Sequence, residues 1–465
     1  MGNNVKVYYF ILFFLLWVKT TGGYAQETEQ YPIILSSRWF HPSSPKDTLS
    51  TIRMVELYKP DRIDWMYCTN DSQLAQLRMR KVPYSLAINP QVPDSAGYTV
   101  NGRIKDFRGQ KLAAPWMRNW KQKNPYWGCV NAPVFQQLFL QESYKLIDLK
   151  AYGLFVDDAR FNDHATEWGG CLCEYCLTGF TKYLQDNGAD SLKSSFNYRV
   201  FLQNEGIEVL PIKDRLIPLW IHYQTFQTQS VIRFLKTWRQ EVEKYAGRPV
   251  TFLTNNYGGQ WTEIYKIFDI GVAELPENRL NRNYLLARMT EADRLNKKQY
   301  FALSSDKEGK QLKALFLTYS AGSTLIIPWD VYIPTKSEQT ANRYFGENQK
   351  FQPIYHLLRQ GQKHILRTAN ANNKARKAAP FQIITESKRD SLNLHEYDFG
   401  KYRIVMIEID KYRKSHTIKL QPSTLLKKEN IQVLFPDPEL VDIWQEGRNY
   451  KVIFSSELVI LRISK

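Results

Sequence analysis

The sequence predicts an α/β fold, a (β/α)8 TIM barrel followed by a C-terminal antiparallel β-sandwich domain. Two observations predict the barrel: eight short apolar runs alternate with helical segments, and polar or acidic residues follow most of these runs. A third predicts the sandwich, because the chain beyond about residue 375 holds short strand-like runs without long helices between them. An open doubly wound sheet is the alternative, but we find no glycine-rich phosphate loop after the first run.

Each apolar run of the barrel has the length of one strand. Helical spacing of apolar residues predicts helices over 134–149 and 219–245, and Gly247 marks the end of the second. The connection 91–128 is long for a compact fold, and loops of this length usually carry function. We assign the barrel strands to residues 33–35, 63–68, 84–88, 153–156, 250–253, 268–273, 300–303 and 325–327.

The second domain is predicted from six strand-like runs near the end of the chain. Turn-forming stretches, such as 398–400 and 436–438, separate neighbouring runs. We expect the barrel over residues 26–372 and the sandwich over 373–465. The six runs are 381–385, 402–409, 416–420, 431–435, 450–454 and 458–463.

The composition is that of an ordinary globular protein. Of the 465 residues, 43% are hydrophobic and 23% are charged, which excludes wholesale disorder. Five cysteines are too few for a disulfide-dense scaffold. Aromatic residues make up 14% of the chain, which suits a protein that stacks flat apolar faces such as sugar rings. A large aromatic core explains the same figure, and composition alone favours that explanation.

The first 25 residues resemble a secretory signal peptide. Lys6 precedes an apolar run over 8–18, and Gly23-Tyr24-Ala25 provides a pattern of the A-x-A type. We expect cleavage after Ala25 and export to the periplasm or the extracellular space, without stable membrane insertion afterwards. The alternative is an uncleaved N-terminal anchor, although the run is short for a membrane span.

Four cysteines form the most specific local motif. The sequence Cys171-Leu172-Cys173-Glu174-Tyr175-Cys176 is a CxCxxC, and Cys129 lies about forty residues earlier. Four thiolates bind zinc tetrahedrally, so we expect Cys129, Cys171, Cys173 and Cys176 to hold a structural Zn ion. In an exported protein, a disulfide with free thiols is the alternative. A closed site of this kind leaves no open coordination position, and we expect neither a catalytic metal nor an organic cofactor.

The cysteine motif and its surroundings resemble known families. A cysteine after the third strand and a CxCxxC after the fourth look like the zinc cluster of family 42 β-galactosidases. The segments 153–162, 321–324 and 343–346, which read GLFVDDARFN, AGST and RYFG, resemble hypothetical glycoside-hydrolase-like barrels. This resemblance covers roughly residues 30 to 360 and implies a hydrolase of glycosidic bonds that acts in polysaccharide degradation.

The resemblance to family 42 departs at the catalytic position. That family has an Asn-Glu pair after the fourth strand, in which the Glu is the acid/base. Here Asp158-Ala159 stands at the matching place, so the β-galactosidase activity does not carry over.

Glycoside hydrolysis needs two carboxyl groups, which in a barrel come from the carboxyl ends of strands. Asp157 and Asp158 follow one strand, and because side chains alternate along a strand, both cannot point at one spot. An Asp nucleophile after the fourth strand and an acid after the sixth resemble an arrangement found among α-glycosidases. We expect Asp157 to be the nucleophile or base and Glu274 the general acid, with Asp158 and Asp306 as their respective substitutes.

Further polar and aromatic residues at strand ends are candidates for binding a substrate. The alternative for each is packing at the rim, and Arg160 could instead hold Asp157 or Asp158. His41 and His164 lie in loops, where we expect them to be solvated. The binding candidates are Arg38, Trp39, Asn89, Arg160, Asn162, Asn255, Tyr257, Trp329, Asp330 and Tyr332.

These features together predict an exported glycoside hydrolase that uses two-carboxylate acid/base chemistry on an oligo- or polysaccharide. A catalytically inactive carbohydrate-binding TIM-barrel protein is the alternative. The net charge of +17 suggests an anionic partner, and a sulfated or uronic-acid-containing glycan fits it better than a neutral one. A nucleic-acid partner is not expected, because export and the lack of a Lys/Arg-rich block argue against it.

Overall fold

The structure is a computed structural model of the 465-residue chain. It describes residues 32–36, 40–41, 50–118, 125–188, 195–207, 217–303, 308–327, 352–356, 381–385, 392–398, 401–409, 416–422, 427, 430–436, 438–456 and 458–464. The expected signal peptide and the expected domain boundary at 372/373 lie outside these residues. Within them, no helix is long and apolar enough to cross a membrane.

Seven parallel strands form one sheet in which each strand pairs with its neighbours in chain order. Residues 325–327 close the sheet, because Leu325 bridges to Phe301 and Ile327 bridges to Leu35 in parallel orientation. The eight apolar runs therefore form a closed (β/α)8 barrel, as the sequence predicts. The strands are β1 (Ile34–Ser36), β2 (Arg62–Met66), β3 (Tyr84–Ile88), β4 (Gly153–Val156), β5 (Thr251–Asn255), β6 (Ile270–Leu275) and β7 (Lys298–Leu303).

Nine helices are described, and most of them lie between consecutive strands. Their ends follow local chemistry: Ser50 Oγ accepts a hydrogen bond from Arg53 N at the start of the first, and Gly247 ends the longest with φ of 60°. They are α1 (Thr51–Tyr58), α2 (Asp71–Met79), α3 (Pro133–Asp148), α4 (Phe161–Ala165), α5 (Glu174–Asp186), α6 (Tyr198–Asn204), α7 (Trp220–Ala246), α8 (Arg282–Arg294) and α9 (Glu308–Ser320).

Side-chain alternation along the strands sorts residues between the barrel interior and the helical layer. Phe155, Leu253 and Val272 belong to an apolar cluster inside the barrel, whereas the intervening residues pack against the helices. Because side chains repeat every two residues, the positions two residues later also face the interior. Those positions are Asp157, Asn255 and Glu274, at the carboxyl ends of β4, β5 and β6.

The C-terminal part of the chain holds eight strands, and the six runs predicted from the sequence are all among them. The strands are β8 (Phe381–Thr385), β9 (Leu392–Asp398), β10 (Tyr402–Ile409), β11 (His416–Pro422), β12 (Ile431–Phe435), β13 (Val441–Glu446), β14 (Asn449–Phe454) and β15 (Leu458–Ser464). They form an antiparallel sandwich of two sheets, ordered β12-β15-β10-β9 and β13-β14-β11-β8.

The sandwich packs against the barrel through strand β10. Ile404 and Met406 join the cluster that covers the outer face of the barrel, whereas Val405 faces the core between the two sheets. Helix α9 supplies Lys313, whose ammonium pairs with the carboxylate of Glu408 on β10. Burial on both faces explains the continuous apolar sequence of β10.

Candidate active site

Asp157 is held at the mouth of the barrel by three hydrogen-bond donors. Its Oδ2 accepts hydrogen bonds from the Tyr67 hydroxyl at 2.9 Å and from Trp65 Nε1 at 3.2 Å. Its Oδ1 accepts from the backbone N–H of Asp158 at 3.1 Å. Both oxygens therefore act as acceptors, which is the role of an ionised carboxylate.

Glu274 is oriented by the neighbouring strand. Nδ2 of Asn255 donates to Oε2 of Glu274 at 3.0 Å, and Oδ1 of Asn255 accepts from the backbone N–H of Tyr257 at 2.9 Å. The two amide contacts fix the orientation of Asn255, so that its NH2 group faces the carboxyl group. Asp157 and Glu274 thus lie at the same end of the barrel, on strands separated by β5.

Asp158 has a different side-chain hydrogen-bond partner from Asp157, and it lies beyond β4 in a turn rather than in the strand. It is 8% exposed and has φ of 54°, and its Oδ1 accepts a hydrogen bond from the Tyr257 hydroxyl at 3.1 Å. Burial raises the pKa of Tyr257 above its usual range, and the Asp158 carboxylate adds to this effect. Tyr257 therefore keeps its proton and acts as a donor to Asp158.

Two site residues that were not predicted from the sequence are Trp65 on β2 and Tyr67, which directly follows this strand. The pairing of β2 with β3 shifts register between Ile63 and Met66, and Trp65 adopts φ of 65°. This bulge turns Trp65 into the barrel, where its ring stacks on Phe155 at 4.5 Å. Two aromatic residues near the carboxyl end of a strand were the available sign of a site at the barrel mouth. In a regular strand, however, Trp65 would face the helices rather than the barrel interior.

Asn89, which was predicted to bind a substrate, lies beside Tyr67 at the mouth of the barrel. Its Nδ2 is 3.5 Å from the Tyr67 hydroxyl, and its Oδ1 accepts from the backbone N–H of Gln91 at 2.9 Å. The carboxyl ends of β2, β3, β4, β5 and β6 therefore all contribute a polar side chain to the same mouth of the barrel.

His164 is buried, so the expectation that it is solvated was wrong. It is 7% exposed, and its Nδ1 lies 2.8 Å from the Tyr257 hydroxyl. Burial, with a smaller contribution from the Arg160 guanidinium, lowers the pKa of His164 to about 4. The imidazole is therefore neutral at physiological pH.

Arg160 contacts neither Asp157 nor Asp158. Its Nε lies 2.7 Å from Oδ2 of Asp163, and its Nη2 lies 2.7 Å from Oε1 of Glu167. Both partners follow Arg160 within seven residues, one on α4 and one just beyond it, so local ion pairs account for the position of this guanidinium.

Six of the residues selected from the sequence fall outside the described part of the chain. They are Arg38, Trp39, Asp306, Trp329, Asp330 and Tyr332.

The four cysteines of the motif come together in one buried cluster. Their sulfur atoms lie within 4.8 Å of one another, with Cys129 Sγ 3.5 Å from Cys173 Sγ and 3.4 Å from Cys176 Sγ. Four sulfurs around one zinc ion at about 2.3 Å lie about 3.8 Å apart, whereas a disulfide needs about 2.05 Å. The cluster therefore has the spacing of four metal ligands, and its thiols are free.

Amide groups surround the sulfurs of this cluster. Asn162 Nδ2 lies 3.3 Å from Cys129 Sγ and 3.4 Å from Cys176 Sγ, and Asn131 Nδ2 lies 3.3 Å from Cys176 Sγ. N–H donors of this kind stabilise negative charge on sulfur, as a thiolate–metal site requires. Burial raises the pKa of Cys176, an effect that a bound cation would oppose. The donor set therefore fits zinc.

Asn162 belongs to the cysteine cluster rather than to the barrel mouth. We expected it to bind a glycan, but its side chain is fully buried and its Oδ1 accepts from the backbone N–H of Val130 at 3.0 Å. A side chain without exposed surface does not reach a substrate. Asn162 lies on the short helix that follows the fourth strand, and nothing in the sequence pattern distinguishes a cysteine-cluster contact from a glycan contact there.

The chain matches no protein-family model and no curated protein. Among solved structures, an α-amylase from H. orenii aligns over 94% of this chain and 100% of its own, at 10% identity and a TM-score of 0.40. A β-galactosidase from the psychrophilic Marinomonas ef1 aligns over 72% of this chain and 60% of its own, at 9% identity and a TM-score of 0.48. The glycoside hydrolase domain of PelA from Pseudomonas aeruginosa aligns over 58% and 83%, at 11% identity and a TM-score of 0.31.

Proposed function

We propose that this protein is an exported glycoside hydrolase that cleaves an oligo- or polysaccharide with Asp157 and Glu274. The observation that supports this most directly is the position of the two carboxyl groups. Both follow interior positions at the carboxyl ends of barrel strands, where the active sites of TIM-barrel enzymes lie. Two carboxyl groups at one mouth are the minimum that glycosidic hydrolysis requires.

Asp157 is suited to the role of nucleophile or base. Its oxygens accept hydrogen bonds from Tyr67, Trp65 and the Asp158 backbone, so the carboxylate is oriented before any substrate binds. Depending on the distance to the anomeric carbon, the carboxylate attacks this carbon directly or removes a proton from the attacking water.

Glu274 is suited to the role of general acid. The Asn255 amide donates to Oε2 and so orients the carboxyl group. As general acid, Glu274 would give its proton to the glycosidic oxygen as the bond to the leaving sugar breaks. Asn255 thereby acts as a positioning residue, because it holds the Glu274 carboxyl group in place.

The cysteine cluster would hold a structural zinc ion through Cys129, Cys171, Cys173 and Cys176. Zinc would fix the end of the β3–α3 connection to the segment that follows β4, since the ligands come from both. Asn162 on α4 contacts two of the sulfurs, and α4 begins three residues after Asp158. The cluster would therefore stabilise the loop that carries Asp157 without taking part in the reaction.

The substrate would be encountered outside the cytoplasm and would suit a basic protein. Cleavage after Ala25 removes Lys6 and Lys19, which leaves a formal net charge of +15 on the mature chain. This charge favours a glycan that carries sulfate or uronic acid groups.

A survey of glycan substrates tests this function. The mature protein is incubated with neutral, uronic-acid-containing and sulfated polysaccharides, and the release of reducing ends is measured beside retardation in gels that contain each polymer. Release of reducing ends from at least one polymer is expected. Retardation without release would instead establish the catalytically inactive carbohydrate-binding barrel. A wild-type protein that neither cleaves nor binds any member of the set would refute both.

A further inference from the structure

A group of aromatic rings packs around His164 and takes no part in the proposed chemistry. The ring of Trp116 lies 5.2 Å from that of His164, 5.8 Å from Trp127 and 5.4 Å from Trp168, measured between centroids. Trp127 is fully buried, whereas Trp116 is 40% exposed. The group therefore has a buried base and an exposed indole.

Tyr257 connects the aromatic group to Asp158 and, through Asn255, to Glu274. The Tyr257 hydroxyl contacts Asp158 Oδ1 at 3.1 Å and His164 Nδ1 at 2.8 Å, and its backbone N–H donates to Asn255, which holds Glu274. Trp116 lies in the β3–α3 connection and His164 on α4, both of which leave the barrel at its carboxyl end. The exposed indole therefore lies at the same mouth as the carboxylates.

Hydrogen bonding within this group determines whether Nε2 of His164 is a donor or an acceptor towards a ligand. Tyr257 has one proton, which it gives to the Asp158 carboxylate, so Nδ1–H of His164 donates to the phenolic oxygen. In the neutral imidazole, Nε2 is then an acceptor. Nε2 lies 3.7 Å from Glu167 Oε2, which is too long for a hydrogen bond. A sugar hydroxyl is a donor of the kind that this nitrogen accepts.

We propose that Trp116, Trp168 and His164 form an outer sugar-binding subsite of the barrel. A sugar ring would stack on the exposed indole of Trp116 while one of its hydroxyls donates to Nε2 of His164. This inference rests on the proposed function and specifies its substrate as a chain of several sugar units. An exposed aromatic ring next to a hydrogen-bonding group is the usual construction of a site for a ligand that is apolar on one face and polar at its edge.

The subsite is tested by replacing Trp116 and measuring polysaccharide binding. Full-length mature wild type, Trp116→Ala and Trp116→Phe are compared by retardation in native gels that contain amylose, galactan, polygalacturonate or a sulfated galactan. The control is Trp444→Ala, because Trp444 is also an exposed tryptophan, at 52%, but lies on β13 of the sandwich. Melting temperatures confirm that all variants are folded.

We expect at least one polymer to retard wild type and Trp444→Ala equally. Trp116→Ala should bind that polymer about two- to tenfold more weakly, and Trp116→Phe should lie between, because it keeps a flat ring. Equal retardation of Trp116→Ala and wild type would overturn the subsite, as would a wild-type protein that none of the four polymers retards. If binding depends on Trp116 but no polymer is cleaved, the proposed hydrolase fails and the subsite stands.

Discussion

The hydroxyl of Tyr67 donates a 2.9 Å hydrogen bond to Oδ2 of Asp157, the oxygen that also accepts from Trp65. Strand β2 thus supports a carboxylate that follows β4, across the intervening strand β3. The contact depends on the bulge in β2 and orients the carboxylate from the side opposite Glu274. Orientation of this kind is what separates a reactive carboxylate from one that only pairs with a neighbour.

Removing the Tyr67 hydroxyl should lower activity more than stability. In Tyr67→Phe the ring remains, and Asp157 loses one of its two side-chain donors. We expect kcat/KM to fall by about tenfold, and the free energy of unfolding by about 1 kcal/mol, the usual contribution of one hydrogen bond. Steady-state kinetics and thermal melts measure the two effects. Tyr175→Phe is the control, because Tyr175 is 49% exposed. Unchanged kinetics in Tyr67→Phe would contradict the positioning role.

The cysteine cluster should contain one zinc ion per chain. Cys173→Ser removes one ligand and should abolish zinc binding and lower the melting temperature, because the β4–α5 loop loses its anchor. Cys68→Ser is the matched control: Cys68 is also buried, but its Sγ contacts Gln73 on α2. Metal analysis and thermal melts of the three proteins provide the measurement. A zinc content near zero in wild type, with oxidised cysteines, would show that the cluster is not a metal site.

His164 should make the fold less stable as the pH falls below neutrality. Its folded-state pKa of about 4 lies below the unfolded value of about 6.5, so the unfolded chain binds the proton more readily. The contribution of the neutral histidine is therefore complete above pH 6.5 and is lost as the pH falls towards 4, by an amount on the order of 3 kcal/mol.

Other titratable or charged groups face His164, namely Arg160, Asp163, Glu167 and Tyr257. Because they also contribute to the pH dependence of stability, the contribution of His164 is measured by comparing wild type with a variant that lacks this histidine. Denaturant melts between pH 4 and 7 are compared for wild type, His164→Gln and the control His222→Gln. His164→Gln should show a shallower dependence on pH than the other two. Parallel curves for all three proteins would exclude His164 as the source of the dependence.

The barrel was predictable from the sequence because its strands are short, largely apolar runs that alternate with helical segments. Two sandwich strands, β9 and β13, were not predicted, and both lie at the edge of a sheet. In β13 only Val441 and Ile443 are buried, so its sequence contains no continuous apolar run. Period-two alternation over six residues is a weaker signal than an unbroken apolar run.

Asp157 and Asp158 have different hydrogen-bond partners, but Asp158 lies in a left-handed turn with φ of 54°, so strand alternation is not the cause. The roles of Asn162, Arg160 and His164 could not be predicted, because all three lie in one short segment after β4. The turn at Asp158 and the short helix α4 determine whether each side chain faces the sulfurs, the solvent or the barrel mouth. Neither of them produces a periodic pattern of apolar residues in the sequence. Trp65 was missed for a similar reason, since a bulge is a deviation from the period on which the prediction depends.

The most direct test of the account is the turnover of Asp157→Asn and Glu274→Gln on a glycan that the wild-type protein cleaves. Both substitutions keep the size of the side chain and remove its acid or base function. We expect each to lower kcat by about 10²- to 10⁴-fold with little change in melting temperature. Asp442→Asn, an exposed carboxylate on β13, should retain wild-type activity. Wild-type turnover in either Asp157→Asn or Glu274→Gln would contradict the assignment of these two residues as the catalytic pair.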